Sequence, residues 1–217
     1  EIHERLVGSE MCIRDRNIPR YELAGYEADD LIGTISRKCE AAGWDCVAAT
    51  GDKDSLQLIT EHTTVKLIST RMGQTTTKDM TPEAFQEQYG FAPIHMIDLK
   101  ALMGDTSDNI PGVAGVGPKT AKELLAKFGS LDGVYAHLED ASIRPKLREK
   151  LENGRDKAYL SYELATIVPE APIDFAPKDA IVQPYNRSEL YQLFQKLEFV
   201  RLIDKYGPVS YTHLTLP

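Results

Sequence analysis

The segment Ile110-Pro111-Gly112-Val113-Ala114-Gly115-Val116-Gly117-Pro118-Lys119-Thr120-Ala121 limits the possible folds more tightly than any other part of the chain. Its three glycines allow a tight turn whose backbone can approach another molecule closely. Pro118 then opens a helix, because the missing N–H of proline costs nothing at the first helical position. The free N–H groups of that helix can receive a phosphate, and Lys119 and Thr120 add a charge and a hydroxyl. The G-x-x-x-x-G-K spacing of a nucleotide-binding P-loop is absent. A predicted helix precedes the segment, where that loop and the dinucleotide fingerprint both need a strand. The simpler alternative is a glycine-rich turn between two packed helices.

The rest of the chain reads as an α/β part followed by a helical part. Leu31, Ile32, Ile35 and Cys39 recur at helical spacing over 28–42, and Gly43 stops the run. Residues 45–50 suit a short buried strand, 55–59 a further helix and 64–69 a strand with a turn at Gly73. Thr81-Pro82-Glu83 is a cap followed by proline, so a helix should run to Tyr89. After Pro93 the spacing predicts helices at 94–103, 118–128, 130–138, 145–153, 155–166 and 187–198. The four prolines between Val168 and Pro184 predict an extended connection.

Acidic residues form three clusters, each at a predicted junction: Glu27-Ala28-Asp29-Asp30, Asp52-Lys53-Asp54 and Asp105-Thr106-Ser107-Asp108. Asp52 and Asp54 follow the carboxyl end of a strand, where open α/β sheets build their sites. Carboxylate oxygens suit Mg²⁺ or Mn²⁺, and two such ions can stabilise both the attacking and the leaving oxygen of a phosphodiester. Seven gathered carboxylates without cations would repel one another, and some would take up protons. Helix caps and solvated turns remain the alternative reading.

Composition removes several classes. No apolar run among the 217 residues approaches membrane-spanning length, and the amino end shows no secretion signal. The cysteines Cys12, Cys39 and Cys46 show no C-x-x-C spacing, and the histidines include no H-E-x-x-H pair. A disulfide scaffold and a zinc hydrolase therefore lack support, and a reducing, cytoplasmic setting fits. The net charge of −8 is unevenly spread. Residues 17–100 hold 13 acids and 8 bases, whereas 101–160 hold 9 of each, so the negative excess lies mainly with the acidic clusters. Lys119, Lys122, Lys127, Arg144, Lys146, Arg148 and Lys150 could form a phosphate-facing strip or simply a solvated surface.

The hairpin resembles a helix–hairpin–helix, a module that grips the DNA backbone without reading bases. Gly25-Tyr26-Glu27-Ala28-Asp29-Asp30, Thr50-Gly51-Asp52-Lys53-Asp54 and residues 103–113 resemble, in order, the 5′→3′ exonuclease domain of bacterial DNA polymerase I, within the flap endonuclease superfamily. The likeness continues through Lys119-Thr120-Ala121, Phe128-Gly129-Ser130-Leu131 and Leu197-Glu198-Phe199. It implies a partial PIN-like parallel sheet with flanking helices over 17–93, then an all-α helix–hairpin–helix (H3TH) part over 94–207. Residues 6–16 and 209–217 resemble translated sequencing adapters, so 1–16 and 208–217 are expected to be artefacts flanking an incomplete domain.

The resemblance also implies roles. Glu27, Asp29 and Asp30 would serve a first Mg²⁺ or Mn²⁺ ion, and Asp52, Asp54, Asp105 and Asp108 a second. Carbonyls of Leu102, Met103, Pro111, Val113 and Val116 would hold K⁺. Gly112, Gly115, Val116, Gly117, Pro118, Lys119 and Thr120 would meet DNA phosphates. The implied protein is a monomer of the bacterial cytoplasm with no membrane contact, joined to a polymerase domain in the parent chain. It would hydrolyse 5′ flaps, nicks and RNA-primed ends in replication and repair. Further family aspartates, and an arch that threads the 5′ end, would fall upstream of Asn17. The expectation is thus an incomplete first metal site, an intact second one and exposed sheet surface that limits solubility. A free-standing flap endonuclease and a non-catalytic DNA-binding module are the alternatives.

Overall fold

The helical spacing of Leu31, Ile32, Ile35 and Cys39 becomes α1 (Ala28–Ala41) in the computed structural model of the chain, which describes residues 19–184 and 187–206. The adapter-like runs lie outside the described residues. Past α1, Gly43 takes a φ of 75° and the chain turns into β1 (Cys46–Thr50). A 3-10 turn (Asp54–Leu58) follows, where a fuller helix was expected. Next come β2 (Thr63–Arg71) and β3 (Gln74–Met80).

These three strands form one sheet in the order β1-β2-β3. β1 and β2 are parallel, with Ala48 beside Val65, whereas β2 and β3 are antiparallel, with Val65 beside Met80. The sheet is therefore mixed, and the sequence reading leaves out β3 altogether. The reason is visible in Gln74-Thr75-Thr76-Thr77-Lys78-Asp79: every one of these residues is exposed, so no apolar alternation marks the strand. Hydrogen bonding through the two-residue Met72-Gly73 turn carries it, both residues having the positive φ that such hairpins need. β1 is also less buried than expected. Ala48 is core, but Val47 is 60% exposed, because no described element covers that face of the sheet.

The helical part begins with α2 (Pro82–Tyr89), capped by the Thr81 hydroxyl, which accepts from the Ala84 amide at 3.3 Å. After a 3-10 turn (Pro93–His95) come α3 (Met96–Met103), α4 (Pro118–Phe128), α5 (Leu131–Ala136), α6 (Pro145–Asn153) and α7 (Arg155–Ala165). α3 is the hub. Every residue from Met96 to Leu102 is buried, and the helix packs against α4, α5 and α7. The boundary expected at 93–94 is not a gap in packing. One core runs from Val65, Met80 and Phe85 through Leu99 and Leu102 to Leu125, Val134 and Leu151.

All of these elements lie in one unit, Leu23–Asp174. A second unit gathers the described residues before 23 and after 174. There Tyr21 meets Phe175 edge-on at 5.3 Å, and α8 (Arg187–Lys196) buries Leu190, Leu193 and Phe194. The segment 168–184 is largely extended, as its prolines require, with a single 3-10 turn at Pro177–Ala180, and α9 (Val200–Tyr206) ends the described chain.

Candidate metal centre

Two loops carry the carboxylates that meet. In the first, the chain leaves β1 and folds on its own side chains: the Thr50 hydroxyl accepts from the Asp52 amide at 3.0 Å, and Asp52 Oδ1 accepts from the Asp54 amide at 2.9 Å. Asp54 thereby starts the 3-10 turn. Gln57 anchors that turn, donating to the Ala165 carbonyl at 2.9 Å and accepting from the Ile167 amide at 3.0 Å. The second loop leaves α3 at Gly104. Asp105 and Ile110 exchange backbone hydrogen bonds of 2.9 and 2.8 Å, closing the four-residue turn Thr106–Asn109.

One carboxylate oxygen each from Asp54, Asp105 and Asp108 then lie within 4.8 Å of one another. Among the described residues no other group of three or more potential ligands is this close. The trio borders a cavity of about 540 Å³, whose lining includes Asp52, Lys53, Tyr89, Lys100, Pro118 and Lys122. Three oxygen donors facing open space fit a hard divalent ion, which takes few protein ligands and keeps several waters.

The cluster already holds one positive charge. Lys100, on α3, has a side chain only 5% exposed. Its ammonium pairs with Asp54, lies 2.9 Å from Asp105 Oδ2 and 3.4 Å from Asp108 Oδ2. Asp105 also accepts from the Ser107 hydroxyl and, at 2.9 Å, from the Ser107 amide. The Ser107 bonds, with Lys100, hold its carboxyl down at about 2. Asp54 moves the other way: burial pushes it up, against the pull of Lys100.

The remaining expected ligands divide. Asp29 is held above the usual carboxylate range by burial and then by the charges of Asp52 and Asp54, so it faces the same negative field. Glu27 caps α1 and is exposed. Both oxygens of Asp30 are engaged by the main chain: Oδ2 accepts from the Glu27 amide at 3.1 Å and Oδ1 from the Val168 amide at 2.8 Å. Asp52 lines the cavity but stands outside the close trio.

The hairpin is fastened to the second loop by backbone contact. Gly112 has a φ of 58°, and a Cβ there would lie 2.2 Å from the Gly104 nitrogen. Its amide donates to the buried Ser161 hydroxyl at 2.9 Å, and Val113 donates to the Leu102 carbonyl at 2.9 Å. Gly112 is therefore interior, and the Val116 side chain is buried too. Gly115, Gly117, Pro118 and Lys119 are exposed. Gly117 offers no capping side chain, so the first turn of α4 presents amides beside the cavity that Pro118 lines.

Residues 1–90 match the family model of the 5′-3′ exonuclease N-terminal resolvase-like domain, and residues 91–188 match that of the 5′-3′ exonuclease C-terminal SAM fold. The chain belongs to the 5′-3′ exonuclease family. DNA polymerase I of Bacillus subtilis is 45% identical to this exonuclease-family chain over 193 residues, 89% of the chain and 22% of the relative. DNA polymerase I of Streptococcus pneumoniae is 42% identical over 185 residues, 85% of the chain and 21% of the relative. The chain thus spans about a fifth of the length of these relatives. Among solved structures, T5 5′-exonuclease with bound divalent metal ions (zinc) aligns over 84% of the chain and 62% of that structure, with a TM-score of 0.59 and 21% identity. The catalytic core of Rad2 in complex with DNA substrate aligns over 94% and 70%, with a TM-score of 0.62 and 16% identity. Both likenesses concern the fold.

Lys100 and Ser161 are the residues of this exonuclease-family site that the sequence reading misses. Lys100 carried a signal, since Asp98 and Lys100 interrupt an otherwise apolar run from Met96 to Met103, and a charge inside a buried helix needs a partner. Ser161 carried none: one serine in the middle of α7 looks like any other. The expected basic strip is partly committed elsewhere. Lys127 pairs with Asp140 at 2.6 Å, Arg148 with Glu139 at 2.6 Å, and Lys150 donates to the Gly115 carbonyl at 3.0 Å.

Proposed function

We propose that this chain is the 5′ nuclease part of a bacterial DNA polymerase I, hydrolysing DNA phosphodiesters at 5′ flaps, nicks and RNA-primed ends in the cytoplasm. The observation that carries the reading is the trio Asp54, Asp105 and Asp108, joined through one four-residue turn to a hairpin that offers backbone amides. A backbone clamp alone has no use for carboxylates beside its phosphate seat.

In this reading Asp54, Asp105 and Asp108, with Asp52 at the edge, hold one Mg²⁺ or Mn²⁺, and Asp29 and Glu27 face a second. When bound, such ions make water a better nucleophile at phosphorus and offset the charge on the departing 3′ oxygen. The protein's own part is placement. The amides at the start of α4, with Gly115, Gly117, Lys119 and Thr120, seat phosphates of the duplex. Lys122 sits 4.4 Å over the Tyr89 ring on the cavity wall and adds positive charge along the strand path. Asp30 acts as a positioning residue, fixing the start of α1 and hence Asp29. K⁺ is assigned to the carbonyls of Leu102, Met103, Pro111, Val113 and Val116. The Leu102 and Val113 carbonyls each accept one backbone hydrogen bond and keep a second lone pair for it. One copy of the chain suffices.

The test is cleavage of an end-labelled 5′-flap duplex in Mg²⁺, with EDTA and Asp105→Asn as controls. Metal-dependent product that falls by at least about a hundredfold in Asp105→Asn is expected. Flap binding without any product from the unmutated chain would leave a DNA-binding module, and product unaffected by Asp105→Asn would displace the trio from catalysis.

A further inference from the structure

Three carboxylates on two loops repel one another, yet Asp54, Asp105 and Asp108 lie together with a single ammonium among them. Lys100 suits that place. Its three N–H donors match three acceptors, and its four-carbon stem is flexible where a guanidinium would be a rigid plane. It reaches the trio from α3, the most buried helix of the unit, so its backbone is fixed and only the side chain has freedom.

The same oxygens cannot serve two cations at once. A divalent ion binds oxygens at about 2.1 Å, so an ammonium left among those oxygens would lie within a few ångströms of a double charge. The cavity of about 540 Å³ that Lys100 borders gives the side chain somewhere to go.

We propose that Lys100 is a built-in occupant of the cation position: it holds Asp54, Asp105 and Asp108 together in the metal-free protein and swings aside when a divalent ion binds. This rests on reading the trio as a cation site. A lysine that merely braced the loops for metal would do the opposite of a competitor when removed, because the scattered ligands would bind more weakly.

Two measurements on the full chain separate these cases: Mn²⁺ affinity, read from the electron paramagnetic resonance signal of free Mn²⁺, and the melting temperature with and without Mn²⁺. Lys100→Met should bind Mn²⁺ about tenfold more tightly, since a like charge has been removed. It should melt several degrees lower without metal and recover with Mn²⁺. Lys100→Gln, which keeps a polar group in the site, should show the same tightening to a smaller degree and serves if the methionine variant does not fold. Lys53→Met, an exposed cation on the same cavity, controls for general charge and should change affinity by less than about twofold. Unchanged or weaker Mn²⁺ binding in both Lys100 variants overturns the inference. If the unmutated chain binds no Mn²⁺, or Asp105→Asn binds it equally well, the cation site itself falls, and the Lys100 assignment falls with it.

Discussion

Asp30 and Asp105 belong to similar acidic clusters, but their surroundings give them opposite jobs. Both oxygens of Asp30 accept from main-chain amides, those of Glu27 and Val168, whereas Asp105 keeps Oδ2 toward the cavity and Lys100. Asp30→Ala should therefore cost about 1–3 kcal/mol in urea unfolding by orphaning two amides. It should leave Mn²⁺ affinity within about twofold of the parent, given that both oxygens are already engaged by main-chain amides. A loss of Mn²⁺ binding without a loss of stability would reverse that assignment. Spacing alone could gather these acids into three clusters. It could not tell an aspartate that braces a helix start from one that faces a ligand, because that depends on where residue 168 lies, 138 positions away.

At the scale of elements, most α helices were legible because several carry their own punctuation, whereas α9 (Val200–Tyr206) was not foreseen. Thr81-Pro82, Gly117-Pro118 and Gly129-Ser130 mark starts and stops, and the structure places α2, α4 and α5 at those marks. β3 was not legible, since its residues bury almost nothing and the strand exists only through β2. The hairpin falls between these cases. Its glycines announce a turn, but its support comes from the Ser161 hydroxyl on α7 and the backbone of Gly104. Ser161→Ala would leave the buried Gly112 amide without its acceptor. We expect a stability loss of about 1–3 kcal/mol, together with weaker flap binding. Gly112→Ala should be worse, because the added methyl has no space beside Gly104 and the positive φ disfavours it. If calorimetry shows both variants melting with the parent, the hairpin does not depend on this support.

For the whole molecule, a net charge of −8 and a polyanionic partner look ill-matched. In the proposed function the match is local: the acids that line the cavity are the ones assigned to cations, while the exposed hairpin and Lys119 are the ones assigned to phosphate. Binding of a flap duplex should therefore weaken steeply with salt, and Lys119→Ala should reduce the slope of log K against log salt by about 1. An unchanged slope, measured by fluorescence anisotropy between 50 and 200 mM salt (a range of about fourfold), would remove Lys119 from the phosphate contacts. The closed turn between Asp105 and Ile110 gives the molecule a ruler. If α4 seats one phosphate and the carboxylates act on another, as proposed, the two are a fixed number of main-chain atoms apart. The bond to be cut would then be chosen by counting along the strand from the grip, whatever the bases in between.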